Sequence, residues 1–139
     1  MTDEDLRERI RAAGLRATRS RVTVLRVLHS RSVPTSHPEV HEALGDDGWD
    51  RATLYRNLVD LTEAGLLRRV DVGDHVWRFE LVDVQHADDA HPHFLCTACG
   101  EVSCLPDIRM PTEGVPRSIA AGDVTIQLQG LCDACYTVP

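Results

Sequence analysis

The sequence predicts a mixed α/β (α+β) protein built from two small modules. This prediction rests on three observations. Helix caps and helical periodicity fill residues 2–65, a β-hairpin pattern follows over residues 66–81, and two Cys-x-x-Cys pairs lie in the last third. Residues 82–90 are acidic and show neither helical nor strand periodicity, which indicates a linker. We therefore expect domains at residues 1–81 and 91–139, joined by a hinge at residues 82–90.

The N-terminal domain is predicted to hold four short helices. Each of the first three helices has a residue well placed to cap its start. Thr2 precedes a helix over residues 3–13, Thr18 precedes one from residue 19 onward, and Ser36 precedes one over residues 38–44. The fourth is expected over residues 51–64 and ends at Gly65. Its predicted exposed side chains are Arg51, Thr53, Tyr55 and Arg56. Three short helices followed by such a fourth indicate a helix-turn-helix.

A hairpin decides which variant of that motif this is. Residues 66–72 and 75–81 are rich in β-forming side chains and are joined through Gly73-Asp74. A helix-turn-helix followed by a hairpin is a winged helix. We expect its fourth helix to enter the major groove of double-stranded DNA and the hairpin to lie against the adjacent groove or phosphates.

The distribution of charge supports a nucleic-acid partner although the net charge is −7. All 15 basic residues are arginine, and 13 of them lie in residues 1–80. Residues 7–31 hold 8 arginines and one acid, Glu8, a block able to face phosphates. Position 17 contributes no contact from this block, because the chain has Ala17 there. The predicted DNA contacts are Arg19, Arg21, Arg51, Thr53, Tyr55 and Arg56.

Two Cys-x-x-Cys pairs predict a tetrahedral structural Zn²⁺ site in the C-terminal domain. They are Cys96-Thr-Ala-Cys99 and Cys132-Asp-Ala-Cys135, and four thiolates from two short loops suit zinc. The alternatives are two disulfides or a redox pair. The N-terminus has no secretory apolar segment, so we expect a cytoplasmic, reducing location.

Other function classes find little support in the sequence. No apolar run approaches the roughly 20 residues of a membrane span, so no membrane partner is expected. A His-x-His run with a carboxylate could hold a hydrolytic metal, but neither a glycine-rich phosphate loop nor a nucleophile accompanies it. We predict no enzymatic activity and no small-molecule substrate.

A family resemblance covers nearly the whole chain. It rests on Gly14-Leu-Arg-Ala-Thr-Arg-Ser-Arg21, His37-Pro, Arg51-Ala-Thr-Leu-Tyr-Arg-Asn-Leu58, Glu63-Ala-Gly-Leu66, Trp77-Arg-Phe-Glu80 and His91-Pro-His-Phe-Leu-Cys-Thr-Ala-Cys-Gly100. In this order the motifs resemble the ferric uptake regulator (Fur) family of bacterial metal-responsive repressors. The resemblance implies a homodimer in which two winged helices read a palindromic operator and the C-terminal α/β domains pair.

The resemblance also implies two metal sites per chain. The structural site is Cys96, Cys99, Cys132 and Cys135; the regulatory site matches His37, Glu80, His91 and His93, with Cys104 where the family normally has a carboxylate. A further family site is missing, because Ala90, Pro92 and Val124 occupy its positions. His41 and His86 are weaker candidates. Metal bound between the domains is expected to set the spacing of the winged helices and to couple metal binding to DNA binding.

Cys104 decides between subtypes. A thiolate is a soft ligand and favours Zn²⁺ over Fe²⁺ or Mn²⁺, which makes zinc-responsive repression the leading interpretation. Cys104 could instead be packing in a strand over residues 101–105, or a redox-sensing thiol. An iron- or manganese-bound peroxide sensor or iron-uptake regulator remains open within the family. Outside it, the alternative is a zinc-ribbon protein-interaction module.

The resemblance breaks at residues 106–116, where the family usually has a helix. Pro111, Gly114 and Pro116 oppose a full helix there and leave room only for a turn at residues 117–121. Residues 124–131 alternate apolar and polar side chains and predict a half-buried strand of the dimer sheet.

Overall fold

A computed structural model describes residues 1–31, 33–45, 48–82, 92–105, 108, 110–121, 124 and 126–137. Tertiary packing divides the chain into two compact units, Met1–Asp71 with Val76–Val84, and Val72–His75 with Gln85–Pro139. The domain limits drawn from the sequence stay predictions, and residues 83–91, which include most of the expected hinge, lie outside the described residues. In the part of the chain that is described, no helix is long and apolar enough to cross a membrane.

The first unit contains the four predicted helices, and the first three begin at the predicted caps. The four helices are α1 (Asp3–Ala12), α2 (Arg19–Ser30), α3 (His37–Leu44) and α4 (Arg51–Glu63). The Thr2, Thr18 and Ser36 side chains accept hydrogen bonds from the backbone two or three residues into their helices, which satisfies N–H groups that have no intrahelical partner. Asp50 caps α4 in the same way, although the sequence analysis did not single it out.

The first unit also contains a three-stranded antiparallel sheet. Strands β2 (Leu67–Asp71) and β3 (Trp77–Leu81) form the predicted hairpin, and β1 (Thr35–Ser36) pairs with the outer side of β3. The hairpin strands are shorter than predicted because the connection takes all of residues 72–76, with positive φ at Gly73 (97°) and His75 (62°). With two residues, β1 is too short to leave a periodic signal.

One apolar core holds the helices and the sheet of the first unit together. It includes the buried faces of α1, α2 and α4 and reaches β2 and β3. Its buried members are Leu6, Ile10, Val22, Val24, Leu25, Leu28, Val40, Leu54, Leu58, Leu61, Leu67 and Phe79. Because α4 buries Leu54, Leu58 and Leu61 at helical spacing, its opposite face is fixed toward solvent.

The second unit is a small sheet with much less apolar burial. Strands β4 (His93–Cys96), β5 (Val102–Cys104) and β6 (Gln127–Gly130) lie in the order β5-β4-β6, and α5 (Arg117–Ala120) precedes β6. β4 is antiparallel to β5 and parallel to β6. Among described residues of this unit, the buried apolar side chains are Val72, Pro92, Leu95, Cys96 and Val102. Large exposed ones are Ile108, Met110, Leu128, Leu131 and Tyr136.

The last strand differs from its prediction. It covers Gln127–Gly130 and not the whole of residues 124–131, and Gln127, Leu128 and Gln129 are all exposed. In the single chain β6 is an edge strand of the sheet and 36% of Leu128 is accessible to solvent, so the half-burial expected for a strand of the dimer sheet stays a prediction. The expected turn near residues 117–121 is present as α5.

Stability of the first unit is expected to depend on its core valines and not on its exposed ones. Val24→Ala removes two methyl groups from a site with 0% exposure and should lower the free energy of unfolding by about 2 kcal/mol. The matched change Val76→Ala, at 40% exposure, should cost less than about 0.5 kcal/mol. Urea unfolding followed by circular dichroism measures both; equal costs would contradict the described core.

Candidate metal centre and nucleic-acid interface

The two Cys-x-x-Cys loops meet at one end of the second sheet. Cys96 ends β4 and is aligned with Gly130 at the end of the parallel strand β6, so the loop after each strand starts from the same edge. In the first loop the Gly100 N–H donates to the Cys96 carbonyl at 2.9 Å, and in the second the Cys135 N–H donates to the Cys132 carbonyl at 3.0 Å. These tight turns aim both pairs of sulfurs at a common point.

The four sulfurs form a compact donor set. All four Sγ atoms lie within 4.8 Å of one another, and the Cys99 and Cys132 sulfurs are 3.8 Å apart. The described cysteines are free thiols, so the two-disulfide alternative is not what the structure contains. Sulfur atoms at this spacing surround a position suited to one tetrahedral ion.

Backbone donors prepare one of these sulfurs to bind a cation. The Cys132 and Cys99 N–H groups point at the Cys96 sulfur, at 3.4 and 3.5 Å, and lower the pKa of the Cys96 thiol to about 6. Hydrogen bonds with the neighbouring Cys132 and Cys96 sulfurs, with a smaller contribution from charge repulsion by Cys132, favour the protonated Cys135 thiol and raise the pKa of Cys135 to about 12. A divalent cation relieves this repulsion, so the donor set fits a thiophilic metal such as zinc.

Two of the predicted regulatory ligands lie side by side in the second unit. His93 on β4 and Cys104 on β5 are paired residues of the antiparallel ladder, which places their side chains on the same face. His93 is buried and Cys104 is half-buried. An imidazole and a thiol at adjacent positions on a rigid pair of strands can bind one ion together. His91, predicted as a ligand, and the weaker candidate His86 lie outside the described residues.

The other two predicted ligands belong to the first unit. Glu80 lies on β3 opposite Arg68, whose guanidinium is 3.5 Å from the Glu80 carboxylate. His37 opens α3, and its Nε2 lies 2.9 Å from the carbonyl oxygen of Arg51 on α4. The His37 ring also packs against the ring of Tyr55, with centroids 5.5 Å apart. Sequence reasoning did not anticipate either of these contacts to α4.

The exposed face of α4 carries most of the predicted DNA contacts. Arg51, Tyr55 and Arg56 are exposed, whereas Thr53 is half-buried in the first turn. The Thr53 N–H donates to the Asp50 carboxylate at 2.8 Å, and the Thr53 hydrogen bonds lower the pKa of Asp50 below its usual value. The capped start of α4 therefore holds a negative charge, and Tyr55 and Arg56 lie about one turn beyond it.

Arg21 lies in a different environment from the other predicted DNA contacts. Its guanidinium donates to the Arg16 carbonyl at 2.8 Å and to the Asp60 carboxylate at 3.3 Å, and only 17% of the side chain is exposed. These bonds join α2 to α4. Arg19, by contrast, is exposed. The geometry fits Arg21 as a support for α4 and leaves Arg19 free to reach a phosphate.

Position 17, just before α2, adds no contact to the predicted DNA-binding set. The residue there is Ala17, which has no guanidinium to offer a phosphate. Ala17 is half-buried and packs against the apolar core of the first unit. Its methyl group therefore serves packing, since an apolar side chain offers a phosphate neither charge nor a hydrogen bond.

Several members of the Arg block have acidic partners from outside the block. Arg26 forms two hydrogen bonds to Asp3, at 3.0 and 2.7 Å, and Arg31 lies 3.2 Å from Glu39. Arg7 and Arg11 both lie 3.5 Å from Glu4. Folding brings Asp3 beside Arg26 and Glu39 beside Arg31, whereas Glu4 lies on the same helix as Arg7 and Arg11. That the block faces phosphates stays a prediction. Exposed pairs of this kind contribute little to stability and can exchange for phosphate oxygens.

Comparisons with known proteins agree on one family. Residues 12–122 match the model of the ferric uptake regulator family. The peroxide-responsive repressor PerR of Staphylococcus aureus (strain Mu50 / ATCC 700699) is 28% identical over 135 residues, covering 91% of this chain and 86% of that protein.

Solved structures give the same picture. The Vibrio cholerae ferric uptake regulator superimposes with a TM-score of 0.72 at 29% identity, covering 90% of this chain and 98% of that one. The ferric uptake regulator of Pseudomonas aeruginosa, solved with manganese, gives a TM-score of 0.63 at 28% identity, covering 96% of this chain and 99% of that one. The similarity therefore includes both units of the chain.

Loss of one cluster cysteine should release the bound metal. Cys132→Ser removes one of the four thiolates and leaves three sulfurs in the donor set. The purified chain should therefore lose its tightly held ion. Cys104→Ser, outside the cluster, should retain that ion. Elemental analysis after dialysis against a weak chelator measures both. A metal-replete Cys132→Ser protein with an unchanged melting curve would contradict the assignment.

Proposed function

Because this chain belongs to the ferric uptake regulator family, whose members are metal-responsive DNA-binding regulators and not enzymes, we propose that it is a zinc-responsive repressor. In this proposal it acts in the cytoplasm as a homodimer, binds a palindromic operator in double-stranded DNA, and takes neither a membrane nor a small-molecule substrate as partner. The observation that carries the zinc assignment is the pairing of Cys104 with His93 on adjacent strands.

The proposed regulatory site consists of His37, Glu80, His91, His93 and Cys104. Its described members in the second unit are a buried imidazole and a half-buried thiol, a donor pair that suits zinc better than manganese. Carboxylate at position 104 would favour harder ions. A thiol there shifts the balance toward zinc, which supports control of zinc homeostasis genes.

A second zinc ion, at Cys96, Cys99, Cys132 and Cys135, is proposed to be structural. The second unit buries only a few apolar side chains among its described residues, so a metal that ties both loops together supplies part of the missing stability. All four coordination positions are thiols of this chain, which leaves none open for a substrate or a signal.

The proposed homodimer accounts for the exposed apolar side chains of the second unit. Ile108, Met110, Leu128, Leu131 and Tyr136 are each at least 36% accessible in the single chain. A second copy would cover such side chains, since soluble proteins rarely leave several large apolar groups open on one small sheet. Two-fold symmetry then gives the pair of winged helices a palindromic target.

The proposed reading head is the exposed face of α4, with Arg51, Tyr55 and Arg56 toward bases and phosphates. Arg19 is proposed as a phosphate contact, Thr53 as a contact from the first turn, and Arg21 as a support for α4. If metal binds across the two domains, it favours one arrangement of the winged helices. Metal and operator then raise each other's affinity by the same factor.

Peroxide sensing is a second candidate within the family, favoured by the similarity to the Staphylococcus aureus repressor PerR. In that alternative the regulatory ion is Fe²⁺ or Mn²⁺ and Cys104 is not a ligand. An iron-uptake regulator would likewise bind Fe²⁺ or Mn²⁺ without Cys104 as a ligand. Both alternatives predict that manganese or iron activates DNA binding at least as well as zinc does.

A protein-interaction module is the alternative from another class, and salt dependence separates it from a repressor. Arginines that contact phosphates displace counterions, so operator affinity should fall by roughly tenfold or more between 50 and 200 mM salt. Salt-insensitive binding to DNA would instead favour a protein partner for the exposed α4 face.

Removing an α4 arginine should weaken operator binding without touching the metal sites. Arg56→Ala should lose roughly tenfold or more in operator affinity, because one good base contact is worth about 1–3 kcal/mol. The control is Arg117→Ala on α5 in the second unit, which should bind normally. Fluorescence anisotropy with operator DNA measures both, beside metal content. Metal loss from the Arg56→Ala protein would mean that the reading head is misplaced.

Position 104 should control metal selectivity. Cys104→Asp keeps an anionic donor but makes it hard, so activation of DNA binding by zinc should weaken while manganese or Fe²⁺ gains relative to it. Operator affinity is titrated against free zinc and free manganese, and a melting curve is recorded for each protein. A stable Cys104→Asp protein with an unchanged zinc response would remove Cys104 from the site. Lost stability with unchanged selectivity would show that Cys104 serves packing.

A further inference from the structure

His37 contacts the DNA-reading helix in two ways. Its Nε2 lies 2.9 Å from the carbonyl oxygen of Arg51, the first residue of α4. Its ring packs on Tyr55, one turn further along, with a centroid separation of 5.5 Å and an interplanar angle of 58°. Both partners belong to the proposed reading head. The first residue of α3 is therefore a direct support for the face of α4 that meets DNA.

The contact with Arg51 fixes the tautomer of the imidazole. A carbonyl oxygen only accepts hydrogen bonds, so the Nε2 atom of His37 must carry the hydrogen. In a neutral ring the lone pair then lies on Nδ1. While this contact persists, Nδ1 is the atom of His37 that can bind a metal ion, and the opposite nitrogen remains committed to α4.

We propose that His37 is a positioning residue for the reading helix, binding the regulatory metal through Nδ1 while its Nε2–H holds the carbonyl of Arg51 and its ring holds Tyr55. This inference rests on the proposed regulatory site and deepens it. A ligating imidazole commonly donates its second N–H to a carbonyl, and coordination draws electron density from the ring and strengthens that donor. Metal binding therefore stiffens the start of α4.

The consequence is a route from metal to DNA that lies within the first unit. Ordering of the His37 ring restricts the rotamers available to Tyr55, so less conformational freedom remains to be lost when DNA binds. This route adds to any change in the spacing of the winged helices. It also predicts that His37 supports operator binding before any regulatory metal is present, through the same hydrogen bond and ring contact.

Nitrogen-15 NMR on the full-length protein reads the tautomer directly. The cysteine-bound ion is retained and the regulatory site is emptied, then Zn²⁺ is titrated in. We expect Nε2 to be protonated before and after loading, the Nδ1 shift to move with zinc, and the Tyr55 ring resonances to move in the same titration. The inference would be overturned if the hydrogen is on Nδ1, or if the Tyr55 resonances do not shift with zinc while operator affinity rises. Either result would leave the proposed repressor function standing.

A variant pair tests the support without metal. His37→Phe keeps an aromatic ring against Tyr55 but loses the hydrogen bond, so operator affinity of the protein with its regulatory site empty should fall roughly fivefold. His29→Phe, the same change at an exposed position of α2, should bind as the parent does. Equal affinities of the two variants would overturn the inference. If zinc leaves the operator affinity of the parent protein unchanged, the proposed function itself fails.

Discussion

Convergence of four sulfurs at the end of the second sheet is the constraint that organises the second unit. The parallel pairing of β4 with β6 brings Cys96 and Cys99 beside Cys132 and Cys135, yet thiolates at this spacing repel one another. The raised pKa of Cys135 reflects this crowding, because hydrogen bonds with the neighbouring sulfurs hold its thiol protonated. A divalent cation turns the same crowding into a stabilising contact. Because the described part of this unit has little apolar core, a cation held by the four sulfurs would stabilise its fold, including the β4–β5 ladder with His93 and Cys104.

The first unit follows a different physical rule. Its helices and hairpin pack around one apolar core, so the orientation of α4 is set by buried leucines. Polar contacts then refine the position of that helix: Asp50 caps it, Arg21 ties Asp60 to α2, and His37 holds its first carbonyl. A metal that binds at His37 acts on a helix whose core packing is already complete. In the proposed function, regulation through His37 would therefore require a small adjustment of side chains and not refolding.

Local signals in the sequence were sufficient for the helices, the hairpin and the cysteine cluster. Caps such as Thr2 and Ser36 act over three residues, and a Cys-x-x-Cys loop closes on itself, so both can be read without tertiary information. Contacts between distant segments could not be read in this way. Asp60 reaches Arg21 across 39 positions, and the two-residue strand β1 exists only because β3 lies beside it. The exposure of β6 was missed because alternation predicts a face but not what covers it.

Coupling between metal binding and operator binding can be measured through the affinity of the regulatory site for zinc, with and without operator. Zinc affinity is measured with a competing fluorescent chelator on the protein alone, on the protein with saturating operator, and with an unrelated duplex of equal length. Reciprocal coupling predicts that operator raises zinc affinity by the same factor by which zinc raises operator affinity. The unrelated duplex should have little effect. Zinc affinity that is identical in all three samples would contradict it.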